Sequence, residues 1–333
     1  LRLHTTLRTG GPARFFAEAD TEEVLREALA FARERALPVF VLGGGSNVLA
    51  GDEGFRGLVV RMATRGVRFA DVAGPVVEVV AEAGESWDAL VASTVERGLR
   101  GLENMSLIPG QVGAAVVGNI GAYGAEVQDT LLWAEALDRR TGQVRRWAAA
   151  ECAFGYRTSF FKTPAGRQWL VLRAAFGLRP DGAPHVAYRD LQDYFAARGV
   201  SAPSLAEVRA AVIAVRRRKL PDVTTVGTAG SFFKNPVISR GQYEALAARY
   251  PELPGHDEGP GKVKVPLGWI LDHICGLKGA RCGRVGTHAT QALVIVNDGG
   301  TAAEVEQFAR KLAGAVKAQT GLDVEWEVER VTG

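Results

Sequence analysis

Three consecutive glycines, Gly43, Gly44 and Gly45, stand directly behind the short apolar run Val39-Phe40-Val41-Leu42, and no helix pattern follows them. A strand running into a glycine turn invites a dinucleotide-binding reading. In that reading a helix opens on the last glycine of G-x-G-x-x-G and its free N–H groups hold a pyrophosphate. The third glycine would fall at Val48, and the next regular segment, Leu58-Val59-Val60-Arg61, reads as another strand. Both failures weigh against a doubly wound nucleotide fold of that kind. What remains, Gly43-Gly44-Gly45-Ser46-Asn47-Val48, is a loop of bare backbone between strands. It can serve as a nest for an anion such as a pyrophosphate, or as a plain hairpin turn.

The same economy of side chains recurs. Glycine makes up 40 of 333 residues, about 12% against a usual ~7%. The glycines cluster at 43–45, 110–124, 227–230 and 255–286 without an internal repeat. That length holds two or three domains. A net charge of +3, from 40 basic and 37 acidic residues, argues for neither a nucleic-acid nor a membrane surface and leaves room for a local anion site. No apolar run approaches the roughly 18 residues of a membrane-spanning helix, and no signal peptide opens the chain. Three cysteines, Cys152, Cys275 and Cys282, cannot all pair, which fits a reducing, cytoplasmic setting.

Along the chain, Thr9-Gly10-Gly11-Pro12 turns into a strand at Arg14-Phe15-Phe16-Ala17. Thr21 caps a helix with Val24, Leu25, Ala28, Leu29 and Ala32 on one face. Pro38 precedes the next strand, a β-α-β start. Residues 76–83 alternate as a strand, Ser86 caps a helix through Val95, and Gly98 stops it. In Ile108-Pro109-Gly110-Gln111-Val112-Gly113, Pro109 is expected in the first turn of a small-residue helix whose N–H groups point ahead. Residues 118–124 then offer glycine and alanine against which a flat ring can lie. Together these loops favour a nucleotide cofactor.

A further stretch, Gly227-Thr228-Ala229-Gly230-Ser231-Phe232-Phe233-Lys234-Asn235-Pro236, is read as a turn. It places a hydroxyl, a cation and an amide close to two adjacent aromatic residues, Phe232 and Phe233. Ser231 is then either a buried hydroxyl satisfied by backbone or a group held at a lined cavity.

These residues resemble a known family. Thr6-Leu7-Arg8-Thr9-Gly10-Gly11-Pro12, the loop 43–49, Ile108-Pro109-Gly110 and Asn119-Ile120-Gly121-Ala122-Tyr123-Gly124 look like the flavin half of the UDP-N-acetylenolpyruvoylglucosamine reductases. Phe154-Gly155-Tyr156-Arg157, Lys219-Leu220-Pro221-Asp222 and the 229–236 motif look like the substrate half, and the matches run in the family's order from about residue 5 to 330. The resemblance implies an α+β chain: a VAO/PCMH-type FAD-binding fold in two subdomains, residues 1–64 joined by 324–333 and residues 65–216, plus a C-terminal α/β substrate-binding domain, 217–323. It implies reduction of an enolpyruvyl ether on UDP-N-acetylglucosamine, with FAD bound non-covalently and NADPH as co-substrate, and a monomer as the usual form. It places Gly43, Gly44, Gly45, Ser46, Asn47, Val48, Ile108, Pro109, Gly110, Gly113, Asn119, Gly121, Ala122 and Tyr123 at the cofactor. Tyr156, Tyr188, Lys219, Asn235 and Gln291 fall at the substrate, and Ser231, Arg157 and Glu327 at the chemistry. Ala187-Tyr188-Arg189-Asp190-Leu191 marks the longer family type, in which a tyrosine loop folds over substrate.

The second half reads consistently. Ser204 and Glu207 form a capping box, and the helix they open ends in Arg216-Arg217-Arg218-Lys219, most of which suits a helix C-terminus. Residues 266–275 read as a helix. Cys275 and Cys282, beside His273 and His288, lack a zinc-ligand spacing, so no metal is expected. Gln291 precedes a strand over 292–296. Thr301 and Glu304 cap another helix, ended by Gly321. Residues 322–329 alternate as a strand, with Glu325 and Glu327 on its acidic face. The family has Pro between its two glutamates where this chain has Trp326, which loosens the register of the match; Glu327 is the first choice of catalytic acid and Glu325, on the same face, the second. Glu82 occupies a position where a smaller residue is expected near the flavin.

Hydride addition at the terminal carbon of an enolpyruvyl group leaves negative charge beside a carboxylate and requires a proton at the adjacent carbon. Arg157 suits the carboxylate, Glu327 the developing enolate and Ser231 the proton. Two alternatives stay open: another VAO/PCMH-type flavin oxidoreductase acting on a sugar or alcohol, and a non-catalytic sugar-nucleotide-binding protein.

Overall fold

Local capping chemistry sets the helices. Thr21 Oγ1 accepts from Val24 N at the start of the Glu22–Glu34 helix, and Ser86 Oγ accepts from Ala89 N at the start of Trp87–Glu96. Ser204 and Glu207 exchange hydrogen bonds ahead of Leu205–Lys219. Thr301 and Glu304 do the same ahead of Ala302–Thr320, which Gly321 ends at φ 74°. Each cap satisfies N–H groups that the helix itself leaves open.

The computed structural model describes residues 1–71 and 75–332. Gly333, in the expected 324–333 segment, and positions 72–74, in the expected 65–216 subdomain, lie outside the described residues. The chain forms two compact units, one of residues 13–44 and 56–218, the other of residues 1–12, 45–55 and 219–333.

In the first unit an antiparallel five-stranded sheet runs in the order Val144–Ala148, Leu131–Asp138, Trp169–Leu178, Val77–Glu82, Val67–Asp71. A smaller sheet pairs Val39–Leu42 in parallel with Phe55–Met62. Trp87 is fully buried, its indole N–H donates to the Met105 carbonyl (3.1 Å), and its ring meets Phe176 edge-on at 5.8 Å. This anchors the 103–106 turn to the sheet. Leu191, Phe195, Val208, Ala211 and Val212 make a separate small core between the Arg189–Ala196 and Leu205–Lys219 helices.

In the second unit a four-stranded sheet runs Gly227–Ser231, Val294–Asn297, Val285–Thr287, Arg281–Cys282. The short strands Val48–Ala50 and Glu329–Val331 pair in parallel. Phe232, Phe233, Ile270, Leu271, Val305 and Val328 belong to its core.

Several sequence expectations need correction. The 227–236 stretch is not simply a turn: residues 227–231 are a strand paired antiparallel with Val294–Asn297, and Gly230 (φ 72°) sits in a bulge between Thr228 and Ser231. The glycines mark the bulge, while burial of Thr228 and Ala229 favours the ladder. Residues 288–293 are irregular and the strand starts at Val294. The 322–329 alternation yields a strand only at Glu329–Val331, because the backbone ahead of it bonds sideways to the 232–234 segment. The 266–275 helix forms, as Leu267–Trp269 continued by a π turn, Ile270–Ile274. Pro109 lies outside its helix, which runs Val112–Gly118 behind Gln111.

Candidate active site

In the first unit the two glycine loops expected at the cofactor lie against each other. A Cβ on Gly44 would sit 2.9 Å from Gly110 Cα, and one on Gly43 would sit 3.3 Å from both Ala114 Cβ and Gln111 Oε1. The first two N–H groups of the Val112–Gly118 helix are taken by backbone carbonyls. Val112 N donates to Glu85 O and Gly113 N to Ala83 O, and a Cβ on Gly113 would strike Ala83 Cβ at 2.8 Å. The helix start is docked on the end of the Val77–Glu82 strand, which overrides the anion-site reading of its N-terminus. Gln111 donates from Nε2 to the Met62 carbonyl (3.0 Å), and its Oε1 is buried with no protein partner. An orphaned acceptor beside two bare-backbone loops fits a flat, donor-bearing cofactor such as FAD, since a buried polar atom without a partner is costly.

The Ile108-Pro109-Gly110 loop is aimed from behind. Leu107 is held at φ 59° with its N–H on Asp88 Oδ1 (2.6 Å), and Asp88 is clamped by both terminal nitrogens of Arg209 (2.7 and 3.2 Å). Burial pushes the Asp88 carboxyl up, but Arg209 and the Leu107 N–H outweigh it and leave the group below its ordinary range.

Asn119 caps the same helix at φ 42°. It donates to Glu126 Oε2 and Gly155 O and accepts from Gln128 N, so its side chain braces the loop from inside. Tyr156 and Arg157 are the central residues of a tight turn closed by two Gly155–Thr158 backbone bonds. Arg157 (φ 56°) donates to the Gly121 carbonyl at 2.7 Å, and its guanidinium lies 3.7 Å from Glu126 Oε1. Tyr123 (φ 50°) meets Tyr188 edge-on with ring centroids 5.3 Å apart. Burial raises the Tyr123 hydroxyl to about 12 against the opposing pull of Arg216. Glu82 is drawn to Arg173 (3.4 Å), in a cluster with Glu22 and Glu135, and burial raises its carboxyl.

Arg216, expected as one of a run of cations at a helix C-terminus, turns inward. It is half-buried, its Nε is enclosed with no hydrogen-bond partner, and burial lowers its guanidinium while Tyr123 and Asp88 hold it up. Its spacing, four residues after Val212 and eight after Val208, put it on the buried stripe.

In the second unit a different set converges. Ser231 is followed by Phe232, whose N–H donates to Leu293 O and whose carbonyl accepts from Glu327 N (both 3.0 Å). Phe233 forms a bridge with Trp326, and Lys234 N donates to Glu325 O. Asn47, from the 43–49 loop, donates its side-chain amide to the Glu327 carbonyl (3.0 Å), and Glu329 N donates to Asn47 O. Asn47 and Glu327 are thus joined by hydrogen bonds, and Glu327 N bonds the carbonyl of Phe232, the residue after Ser231. Glu325 instead pairs with Lys234 (2.5 Å) and is 72% exposed. Gly45, at φ 63°, lies so close to the His4 carbonyl that a Cβ would come within 2.0 Å of its oxygen. Thr6 joins the two motifs, donating N–H to Gly45 O (3.0 Å) and its hydroxyl to Thr228 O (2.6 Å).

The expected substrate residues are also placed. Asn235 Oδ1 accepts from Leu267 N (2.9 Å). Gln291 Oε1 lies where a Gly268 Cβ would come within 2.5 Å. The Lys219 carbonyl accepts from Thr290 Oγ1 (2.8 Å), tying Lys219 to the Gln291 loop. Trp269 and His273 stack at 4.6 Å and 10° along the π turn. Among the described residues, no group of three or more His, Cys, Asp or Glu is arranged to hold a metal ion, and no helix is long and apolar enough to cross a membrane.

An FAD binding domain model matches residues 13–148. A solvent-stable cholesterol oxidase shares the fold at TM-score 0.50 and 13% identity over 98% of this chain and 86% of that one. The chain is therefore an FAD-binding α+β protein of the VAO/PCMH type. The model of the UDP-N-acetylenolpyruvoylglucosamine reductase C-terminal domain matches residues 222–331. A reductase of that name from Pseudomonas aeruginosa is 44% identical over 98% of this chain and 96% of its own length. The crystal structure of the Thermus caldophilus enzyme aligns at TM-score 0.69 and 28% identity, covering 100% of this chain and 97% of that one. The chain belongs to the UDP-N-acetylenolpyruvoylglucosamine reductase family.

Proposed function

We propose that this protein uses NADPH to reduce the enolpyruvyl ether of UDP-N-acetylglucosamine enolpyruvate, giving UDP-N-acetylmuramate for peptidoglycan precursor synthesis. The observation that carries this reading, beside family membership, is the hydrogen-bonded set of Asn47, Glu327 and Phe232, the residue that follows Ser231. It ties an acid and the chain neighbour of a hydroxyl to a residue of a loop expected at the cofactor.

The chemistry that a bound FAD would supply is hydride transfer between NADPH and the double bond. Gly43, Gly44, Gly45, Ser46, Asn47, Val48, Ile108, Pro109, Gly110, Gly113, Asn119, Gly121, Ala122 and Tyr123 would hold the FAD, chiefly by close backbone approach. The Gly121 carbonyl fixes one edge of Arg157, so the guanidinium is pre-oriented to fork onto the substrate carboxylate. Ser231 delivers the proton to the carbon beside that carboxylate. Glu327 stabilises the developing enolate, and its backbone bonds to Phe232 and Asn47 favour it over the exposed Glu325. Tyr156, Tyr188, Lys219, Asn235 and Gln291 bind the sugar nucleotide. In this division residues 1–64 with 324–333 and residues 65–216 carry the cofactor, and 217–323 the substrate. We place the enzyme in the cytoplasm as a monomer. The odd cysteine count, with Cys152 buried, Cys275 half-buried and Cys282 exposed, suits a reducing compartment.

The test is anaerobic. The purified yellow protein should bleach with NADPH and regain its colour on addition of the enolpyruvyl sugar nucleotide. Recovery with simple alcohols or sugars instead would favour an oxidase-type activity, and no bleaching at all would favour a binding protein.

A further inference from the structure

Asn104 is 2% exposed, and no step above uses it. Its side-chain amide donates two hydrogen bonds to backbone carbonyls far apart in sequence, Tyr123 O at 2.8 Å and His185 O at 2.9 Å. Only the NH2 end of an asparagine can face two carbonyls, which fixes the orientation of the amide and leaves Oδ1 buried without a partner. The segment it grips leads into Tyr188. Arg100 donates to Ala183 O (2.7 Å), a Cβ on Gly124 would lie 2.9 Å from His185 Cε1, and Tyr188 then opens the Arg189–Ala196 helix with its ring against Tyr123. One N–H of the Asn104 amide thus sets the backbone of Tyr123, held at φ 50°, and the other sets the loop that carries Tyr188. Trp87 secures the turn from which Asn104 reaches out, through its bond to Met105 O.

We infer that Asn104 is a positioning residue for sugar-nucleotide binding: its paired hydrogen bonds hold the 183–188 loop so that Tyr188 stands over the substrate. This rests on the substrate role of Tyr188 proposed above. Tyr188 is 45% exposed, and beside its edge-on contact with Tyr123 the backbone anchor decides where the ring stands.

Asn104→Asp keeps the volume but turns a carboxylate oxygen toward two carbonyl oxygens, and Asn104→Ala removes both bonds. Two net hydrogen bonds correspond to about a tenfold or greater shift in the loop's equilibrium. Hydrogen exchange on the FAD-loaded protein should therefore speed up about tenfold across residues 183–190 in both variants, with exchange in the Trp87–Glu96 helix unchanged. Titration of the oxidised holoenzyme with UDP-N-acetylglucosamine enolpyruvate, followed by flavin absorbance, should show binding weakened by a similar factor, and Tyr188→Ala should weaken it as well. If Tyr188→Ala weakens binding while both Asn104 variants bind and exchange like wild type, the role of Asn104 is overturned and that of Tyr188 stands. If Tyr188→Ala binds as tightly as wild type, the reading of Tyr188 falls and the proposal falls with it. Faster exchange spread evenly over the whole unit, or faster loop exchange without weaker binding, also overturns the proposal.

Discussion

The two units position their candidate site residues by different physics. In the unit of residues 13–44 and 56–218, local backbone strain does the placing. Leu107, Asn119, Tyr123 and Arg157 all hold left-handed conformations, each at a cost of roughly 1–2 kcal/mol, and the Asp88, Glu126 and Asn104 side chains brace the segments around them. In the unit of residues 1–12, 45–55 and 219–333, register between distant segments does the work. Thr6 bonds to Thr228 and Asn47 to Glu327, spanning 222 and 280 residues. Strained loops clamped by side chains suit a surface that must present bare backbone. Long-range hydrogen bonds suit the fixed spacing of two candidate groups, because moving either segment breaks several bonds at once.

The largest effect expected from this contrast is at the ladder side. Gly45→Ala drives a Cβ into the His4 carbonyl and should lower stability by about 4 kcal/mol, a Tm loss of about 10 °C by calorimetry. A change under 2 °C would show that the N-terminal segment yields and that its register is not fixed. Next comes Arg157→Lys on the strained side. It loses one arm of a charged fork, so kcat/KM should fall by about 10–100-fold with flavin content intact. Full turnover would remove the carboxylate clamp from the mechanism. The smallest effect is at Asp88. Its carboxyl lies below its ordinary range in the folded chain, so its contribution is complete above the unfolded value of about 3.9 and fades as pH drops through the folded value. Asp88→Asn should therefore cost stability at pH 7 and converge with wild type on acidification toward pH 3. Urea midpoints that differ equally at both pH values would mean that the Arg209 pair does not govern the loop.

How much of this was legible in the sequence follows the same divide. The capped helices at Thr21, Ser86, Ser204 and Thr301 were readable because cap and helix lie within four residues. The failure of the dinucleotide motif at Val48 was readable for the same reason. The strand at 227–231 was hidden, since its glycines speak locally of a turn while its partner strand lies more than 60 residues on. The alternation over 322–329 was read as a longer strand, but its bonds go sideways to 232–234, a pairing that no local pattern announces. Pro109 looked like a helix start because small residues follow it, yet the helix waits for Val112, whose N–H docks on Glu85. Arg216 could have been found by helical spacing, but three neighbouring cations suggested a solvated terminus.

The most direct test of the mechanism is the pair of half-reactions in Ser231→Ala, followed by anaerobic stopped-flow absorbance of the flavin. Flavin reduction by NADPH should proceed at the wild-type rate. Reoxidation by the enolpyruvyl sugar nucleotide should slow by about 10²–10⁴-fold, the usual loss when a positioned proton donor is removed. Equal slowing of both half-reactions, or reoxidation at the wild-type rate, would contradict the role of Ser231 as the proton donor.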